Sequence, residues 1–171
     1  LYQKLFKRDF DNFDQISDHL IIIDKNKSKN NIVGTYRLLK GSMVKVNKGF
    51  YSEKEFDLSN IKNVFSRESI LELGRSCVHS NYRSGLILKL LWQGIAQYVL
   101  TNNIKLLIGC ASFPVIDINR ISNQLIYLKN NHSLPHKLSV FSNQRNRIFP
   151  KFKDKRYTDK NTFKNLPPLI K

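Results

Sequence analysis

Cysteine is scarce in this sequence of 171 residues, which contains only Cys77 and Cys110, each inside a mostly apolar run. Two cysteines outside any paired or ligand-spaced cluster argue against a disulfide framework. No apolar run approaches the roughly 20 residues that a membrane-spanning helix needs, and the basic, polar beginning lacks a signal-peptide core. We therefore expect a cytoplasmic protein, either soluble or peripherally bound to a membrane.

Glycine and proline are also few, at seven and five residues, which excludes collagen-like and low-complexity chains. Hydrophobic residues at 41% and aromatic residues at 11% are too frequent for a disordered chain. Acidic residues number 13 against 29 basic ones, so the formal net charge is +16. That charge favours an anionic partner such as nucleic acid, an anionic membrane or an acidic protein, although a lysine- and asparagine-rich composition is the plainer explanation.

Apolar periodicity predicts one α/β domain built on a mixed central sheet flanked by helices. Apolar runs predict strands at residues 19–24, 32–39, 69–78 and 105–111, the first two forming a hairpin and the last a buried strand. Helical spacing predicts helices at residues 85–100 and 116–128.

The charge is distributed unevenly along the chain. Residues 1–72 carry 13 basic and 10 acidic side chains, whereas residues 73–171 carry 16 and 3. Residues 131–171 are basic, polar and interrupted by prolines, and we interpret them as an arm within the domain that binds a partner.

A carboxylate and a guanidinium, Glu72 and Arg75, lie in an otherwise apolar predicted strand. Residues three apart on a strand face opposite sides unless a bulge intervenes, and Gly74 is a plausible bulge position. A buried Glu72 would be either a general base or half of a structural ion pair with Arg75 or Arg37, and the residue chemistry by itself favours the ion pair.

The segment from Val78 to Gly85 joins this strand to the predicted helix. A turn before a helix presents backbone N–H groups to phosphate, Arg83 adds positive charge, and Gly85 permits close approach of a ligand to the backbone. Ordinary helix capping explains the same residues and remains the alternative.

The acidic segment with Asp11, Asp14 and Asp18 lacks the glycine and the final glutamate of a calcium loop, so helix capping or arginine pairing is expected there. His132 and His136 have Pro135 between them and no cysteine nearby, which disfavours zinc. We expect no metal.

Four motifs together resemble the acyl-carrier-dependent branch of the GNAT N-acyltransferases. This branch includes the acyl-homoserine-lactone synthases and the ornithine N-acyltransferases of ornithine lipid synthesis, often called hemolysin-like. The motifs are DNFD at residues 11–14, GTYRLL at 34–39, ELGRSCV at 72–78 and GCASFP at 109–114. The glycine at position 74, the segment FYSE at 50–53 and the GCASFP motif are closer to the ornithine enzymes.

The resemblance implies attack by an amino-acid amine on an acyl thioester carried by a phosphopantetheine arm, with the acyl carrier protein as partner and no permanently bound cofactor. It implies that Glu72 and Arg75 are catalytic and that Asp11, Asp14 and Arg37 bind the substrate. It further implies a phosphopantetheine-binding turn and a carrier-docking surface on the basic half. The turn residues are Val78, Arg83, Ser84 and Gly85, and the docking residues are Lys151, Lys153 and Lys155.

The resemblance favours a (3-hydroxy)fatty acyl donor, ornithine as acceptor and a lyso-ornithine lipid as product. Alternatives are an N-acyl amino acid or acyl-homoserine-lactone synthase, a basic nucleic-acid-binding module and an inactive remnant. Nucleic-acid binding is not expected, because the ordered motifs have no reason to occur in such a module. Relatives of this kind extend beyond both ends, so we expect the sequence to be truncated.

Overall fold

The computed structural model describes residues 9–27, 31–45, 48–115, 117–143 and 160–170. These residues fall into two compact units, one within residues 1–54 and 65–110 and one within residues 55–64 and 111–171. The strands are β1 Asp18–Asp24, β2 Asn31–Lys40, β3 Phe56–Asp57, β4 Ile70–Val78, β5 Leu106–Ile108 and β6 Phe141–Ser142. The α-helices are α1 Ser59–Val64, α2 Leu86–Thr101, α3 Ser122–His132 and α4 Lys160–Lys164.

The first unit contains a four-stranded mixed sheet in the spatial order β1, β2, β4, β5. Strand β2 pairs antiparallel with β1 and with β4, whereas β4 and β5 are parallel. The predicted hairpin and the predicted α/β class are therefore confirmed. The parallel pair needs a crossover, and α2 supplies it, as expected for a strand–helix–strand connection.

Helix α2 covers one face of this sheet. Its residues Ile87, Leu91 and Ile95 are buried, and they pack in one core cluster with Tyr36 of β2 and Leu71 of β4, among others. The spacing of four residues places these helical side chains on one face, which explains why the apolar periodicity predicted this helix to within a residue at each end.

Strand β4 contains a bulge beside the predicted position. Thr35 of β2 pairs with Cys77, whereas Arg37 pairs with Gly74, so β4 has one extra residue across this interval. The unusual backbone falls on Arg75, whose φ of +48° lies in the left-handed region. The bulge predicted at Gly74 is thus confirmed, with Arg75 and not the glycine in the left-handed conformation.

Strand β5 is shorter than predicted and less buried. It ends at Ile108, and Leu107 is 38% exposed, so the expectation of a buried strand over residues 105–111 is wrong. At Gly109 a Cβ atom would lie 2.6 Å from the Leu73 carbonyl oxygen. The chain passes too close to the β4 backbone at this position for a residue with a side chain.

The second unit contains α1, α3 and α4 with the two-stranded antiparallel sheet of β3 and β6. The helix predicted at residues 116–128 is displaced towards the C-terminus, because Asp117 accepts a hydrogen bond from the Asn119 N–H and caps a 3-10 turn, Ile118–Ile121, before α3 begins. The predicted arm 131–171 lies partly outside the described residues.

We expect Leu91→Ala to lower the free energy of unfolding by about 2–5 kcal/mol, because it leaves a cavity in the core cluster. Leu91 is 0% exposed, whereas Leu100 on the same helix is 73% exposed, which makes Leu100→Ala the matched control. The control should lower it by about 0.5 kcal/mol or less. Urea denaturation measures both, and equal losses would contradict the packing of α2 on the sheet.

Candidate active site

Two arginines and three aspartates form an ion-pair cluster on the first unit. Arg37 of β2 is 4% exposed, and its Nη1 donates to Oδ1 of Asp11 at 2.9 Å and to Oδ1 of Asp14 at 3.0 Å. Arg75 donates from Nη2 to Oδ2 of Asp11 at 2.9 Å and also pairs with Asp9. The structure therefore brings together four predicted site residues: Asp11, Asp14, Arg37 and Arg75.

The segment that carries the aspartates is held by its own carboxylates. Asp11 accepts a hydrogen bond from the Phe13 N–H at 2.8 Å, and Asp14 accepts one from the Asp11 N–H at 2.7 Å. Such turns are characteristic of aspartate, which can hydrogen-bond to backbone groups two or three residues away. The prediction of arginine pairing for Asp11 and Asp14 is confirmed.

Two aromatic rings lie beside this cluster. The Arg37 guanidinium carbon is 5.7 Å from the ring centroid of Phe13 and 5.4 Å from that of Tyr51. The Lys54 ammonium lies 4.9 Å and 4.8 Å from the same two rings. Cation–π attraction to shared rings thus helps to orient Arg37.

Glu72 is buried and held by the segment around Tyr51. Only 4% of the residue is exposed, and its carboxylate accepts hydrogen bonds from the Tyr51 N–H at 2.7 Å and the Ser52 N–H at 2.8 Å. The Ser52 hydroxyl also donates to it. Among the described residues no ion pair joins Glu72 to Arg37 or Arg75, so the interpretation as half of a structural ion pair is wrong. Backbone donors replace the arginine because both arginines are taken by aspartates.

The individual roles of Tyr51 and Ser52 were not predicted. The available signal was the segment FYSE at 50–53, which contributed to the family resemblance but carried no spacing that linked it to Glu72. Their contacts with Glu72 span 21 and 20 residues of sequence, and only the folded chain reveals them.

A cavity of about 260 Å³ opens between these groups. It is lined by Asp9, Arg37, Tyr51, Glu72, Leu73, Gly74, Arg75 and Cys110. The bulge explains why Glu72 and Arg75, three residues apart on β4, both face it. The pairing of β4 with β5 ends at Glu72 and Ile108, whereas β4 continues to Val78, so the strand passes the cavity beyond its parallel partner.

The turn between β4 and α2 forms a structured connection. The Arg83 Nε donates to the Val78 carbonyl oxygen at 3.2 Å, and Gly85 precedes α2 with a φ of +94°. A Cβ on Gly85 would meet no atom within 4 Å, so the glycine satisfies the left-handed backbone. Ser84 lies in the same turn.

Lys151, Lys153 and Lys155 lie outside the described residues. Within the described ranges, no group of three or more His, Cys, Asp or Glu side chains could hold a metal ion. No helix in the part of the chain that the structure describes is long and apolar enough to cross a membrane.

The acetyltransferase (GNAT) domain family matches residues 2–93, more than half of the chain. The chain therefore belongs to the GNAT acetyltransferase-domain family, as its motifs indicated. No solved structure matches the chain significantly.

The chain is also similar to curated proteins named L-ornithine N(alpha)-acyltransferase, a narrower group than the GNAT domain family. The one from Agrobacterium fabrum (strain C58) is 41% identical over 128 residues, covering 73% of this chain and 44% of the relative. That from Rhizobium meliloti (strain 1021) is 34% identical over 169 residues, covering 96% and 57%. That from Rhodobacter capsulatus is 36% identical over 141 residues, covering 81% and 54%. The chain spans about half the length of these relatives.

The ion-pair cluster makes the free energy of unfolding depend on pH. Burial raises the pKa of Asp11, but hydrogen bonds from Arg75, Arg37 and the Phe13 N–H outweigh burial and lower it from 3.8 to about 2. A carboxyl with a depressed pKa in the folded chain stabilises the fold above its unfolded pKa, and this contribution is lost as the pH falls towards the folded pKa.

We therefore expect the free energy of unfolding to decrease as the pH falls from about 4 to about 2, and to decrease less steeply in Asp11→Asn. Urea titrations at each pH measure the free energy of unfolding of both proteins. The change of this free energy with pH is compared, and not its absolute value, because Asp11→Asn also loses ion pairs. Equal slopes in the two proteins would contradict the assignment.

Proposed function

We propose that this protein transfers a 3-hydroxyacyl group from an acyl carrier protein to the α-amine of L-ornithine, forming a lyso-ornithine lipid. The proposal rests on the position of the Glu72 carboxylate. This group is hydrogen-bonded to two backbone N–H groups and lines a cavity that Arg37 and Arg75 also line. Family membership supports acyl transfer, and the names of the curated relatives support ornithine as the acceptor.

Glu72 is proposed to orient the acceptor amine and remove its proton. An amino acid reaches the site as an ammonium ion, which must lose a proton before its nitrogen can attack. The new C–N bond forms as the thioester C–S bond breaks, and the departing thiolate takes up a proton. A carboxylate fixed by three donors keeps its position while the amine approaches.

The charges around the cavity suit a cationic amino acid. Four negative charges come from Asp9, Asp11, Asp14 and Glu72, and three positive ones from Arg37, Arg75 and Lys54, which leaves a formal −1. An acceptor with two ammonium groups and one carboxylate carries a net positive charge and complements this set. The site thus differs in sign from the chain as a whole, whose net charge is +16.

The acyl donor is proposed to lie along β4. The strand continues from Leu73 to Val78 past the end of its pairing with β5, where an extended phosphopantetheine arm can hydrogen-bond to the backbone. The turn with Arg83 and Gly85 would receive the phosphate of the arm. The arm is a co-substrate delivered by the carrier protein, and no permanently bound cofactor is proposed.

The carrier protein is proposed to dock on the basic half of the chain, with Lys151, Lys153 and Lys155 as contacts. Residues 73–171 carry 16 basic and 3 acidic side chains, so an acidic partner would be attracted. The amphipathic product suits a cytoplasmic protein in peripheral contact with the inner membrane.

Mass spectrometry of lipids from cells expressing the whole protein tests the reaction directly. N-acylornithine should accumulate, and the purified protein should acylate L-ornithine from an acyl carrier protein. Acylation of a different amine in place of L-ornithine would reassign the acceptor and favour the N-acyl amino acid or acyl-homoserine-lactone synthase alternative.

We expect Glu72→Gln to lower kcat by at least about 100-fold, because an amide cannot take up the proton. The amide also loses one acceptor oxygen that faces a backbone N–H, so a loss of about 1–3 kcal/mol in folding free energy is expected and must be measured alongside. Glu68 is exposed on the 3-10 turn Arg67–Ser69, and Glu68→Gln, which makes the same chemical change away from the cavity, is the control.

A second variant, Glu72→Asp, distinguishes a catalytic role of the carboxylate from its structural role as hydrogen-bond acceptor for Tyr51 and Ser52. It retains a carboxylate and should therefore keep more turnover than Glu72→Gln, even if both lose the backbone contacts to a similar extent. Equal kcat values in the two variants would assign Glu72 to structure alone.

Arg37→Lys should lower kcat/KM for the acceptor by about 10-fold or more, because a shorter lysine loses the planar guanidinium that lies by the Phe13 and Tyr51 rings while its Nη1 pairs with Asp11 and Asp14. Exposed Arg120→Lys is the matched control and should leave kcat/KM unchanged. Steady-state kinetics with L-ornithine as the varied substrate measures the effect. Comparable activity in Arg37→Lys would indicate that only its charge matters.

A further inference from the structure

A tyrosine in the turn between β4 and α2 is tied to the far end of β1. The Tyr82 hydroxyl donates to Oδ2 of Asp24 at 2.6 Å and accepts from the Asn31 side-chain amide at 3.4 Å. Asp24 is the last residue of β1 and Asn31 the first of β2. The hydroxyl therefore joins the turn to both strands of the hairpin, across 58 and 51 residues of sequence.

The Tyr82 ring is fixed on two sides. The His79 imidazole contacts it edge-on, with centroids 5.7 Å apart, and the Lys27 ammonium lies 5.8 Å from its centroid. His79 also accepts a hydrogen bond from the Asn81 N–H at 3.3 Å through Nδ1. These contacts connect the ring position to the backbone of the turn.

A second tyrosine–aspartate bond lies at the other end of the same strand. The Tyr98 hydroxyl of α2 donates to Asp18, the first residue of β1. The two bonds share their chemistry, because each is a phenol donating to a β1 carboxylate, but only that of Tyr82 belongs to the turn. Tyr98 therefore provides an internal control for loss of a hydroxyl.

We propose that the Tyr82–Asp24 hydrogen bond is a positioning device that holds the β4–α2 turn in the conformation that receives the phosphate of the acyl donor. This inference rests on the proposed function, which places the donor arm at that turn. Tyr82 does not line the 260 Å³ cavity, so it acts through the turn and is a positioning residue.

The bond is maintained around neutral pH. The hydrogen bond to Asp24 raises the pKa of Tyr82, so the phenol remains a donor. The bond from Tyr82 lowers the pKa of Asp24, which favours its ionised, accepting form.

Removal of the Tyr82 hydroxyl should therefore affect donor binding and spare the acceptor. We expect Tyr82→Phe and Asp24→Ala each to raise KM for the acyl carrier protein donor about fivefold, within the range for loss of one hydrogen bond, with KM for ornithine unchanged. The double variant should resemble either single variant, because both changes remove the same bond.

Tyr98→Phe is the matched control and should change donor KM less than about twofold, even though it also loses a tyrosine–aspartate bond. Thermal unfolding of all variants measures the loss of stability separately. An equal rise in donor KM for Tyr98→Phe and Tyr82→Phe, or no rise in Tyr82→Phe, would overturn the proposal, since a general loss of stability would not distinguish the two ends of β1.

Calorimetric binding of 4′-phosphopantetheine tests the positioning role without turnover. Weaker binding in Tyr82→Phe than in Tyr98→Phe supports the proposal, even if the wild-type protein proves unable to acylate ornithine and the proposed function fails. Equal binding by the two variants, or no binding by the wild-type protein, would overturn it.

Discussion

The buried Arg37 guanidinium is the constraint on which the site depends. A cation almost fully removed from water must be paired, and removal of its partners from such a position costs about 3–5 kcal/mol. Asp11 and Asp14 supply the pairing from a segment 26 and 23 residues away in sequence. The need to neutralise one charge in the sheet therefore fixes the acidic segment beside β2.

The bulge in β4 extends this arrangement to a second arginine. Without the extra residue, Glu72 and Arg75 would face opposite sides of the sheet. With it, Arg75 reaches Asp11 while Glu72 stays beside the cavity. The left-handed backbone of Arg75, unfavourable for a residue with a side chain, is held by ion pairs with Asp9 and Asp11.

Because the aspartates take both guanidinium groups, Glu72 is left to backbone and hydroxyl donors. Those donors come from Tyr51 and Ser52, and the Tyr51 ring contacts Arg37 in turn. The carboxylate and the ion-pair cluster are thus coupled through one short segment.

The sequence by itself determined the strands of the hairpin, β4, α2 and the residue types of the site. Apolar periodicity reports local burial, and four ordered motifs were sufficient to indicate the family. It also indicated a bulge near Gly74, since glycine is common at such positions. It misjudged β5, which ends at Ile108; the close approach of Gly109 to the Leu73 carbonyl oxygen, 36 residues earlier in the chain, has no local sequence signal.

Only the tertiary structure decided how the charges are paired. Residue chemistry allowed Glu72 to pair with either arginine, and the choice of Asp11 and Asp14 instead follows from competition among carboxylates for two guanidinium groups. The hydrogen bond between Tyr82 and Asp24 is likewise visible only in the folded chain, because no sequence pattern links two residues 58 positions apart. Hydrogen bonds and ion pairs between distant residues are sensitive to shifts of a few tenths of an ångström, and local sequence periodicity contains no information about such positions.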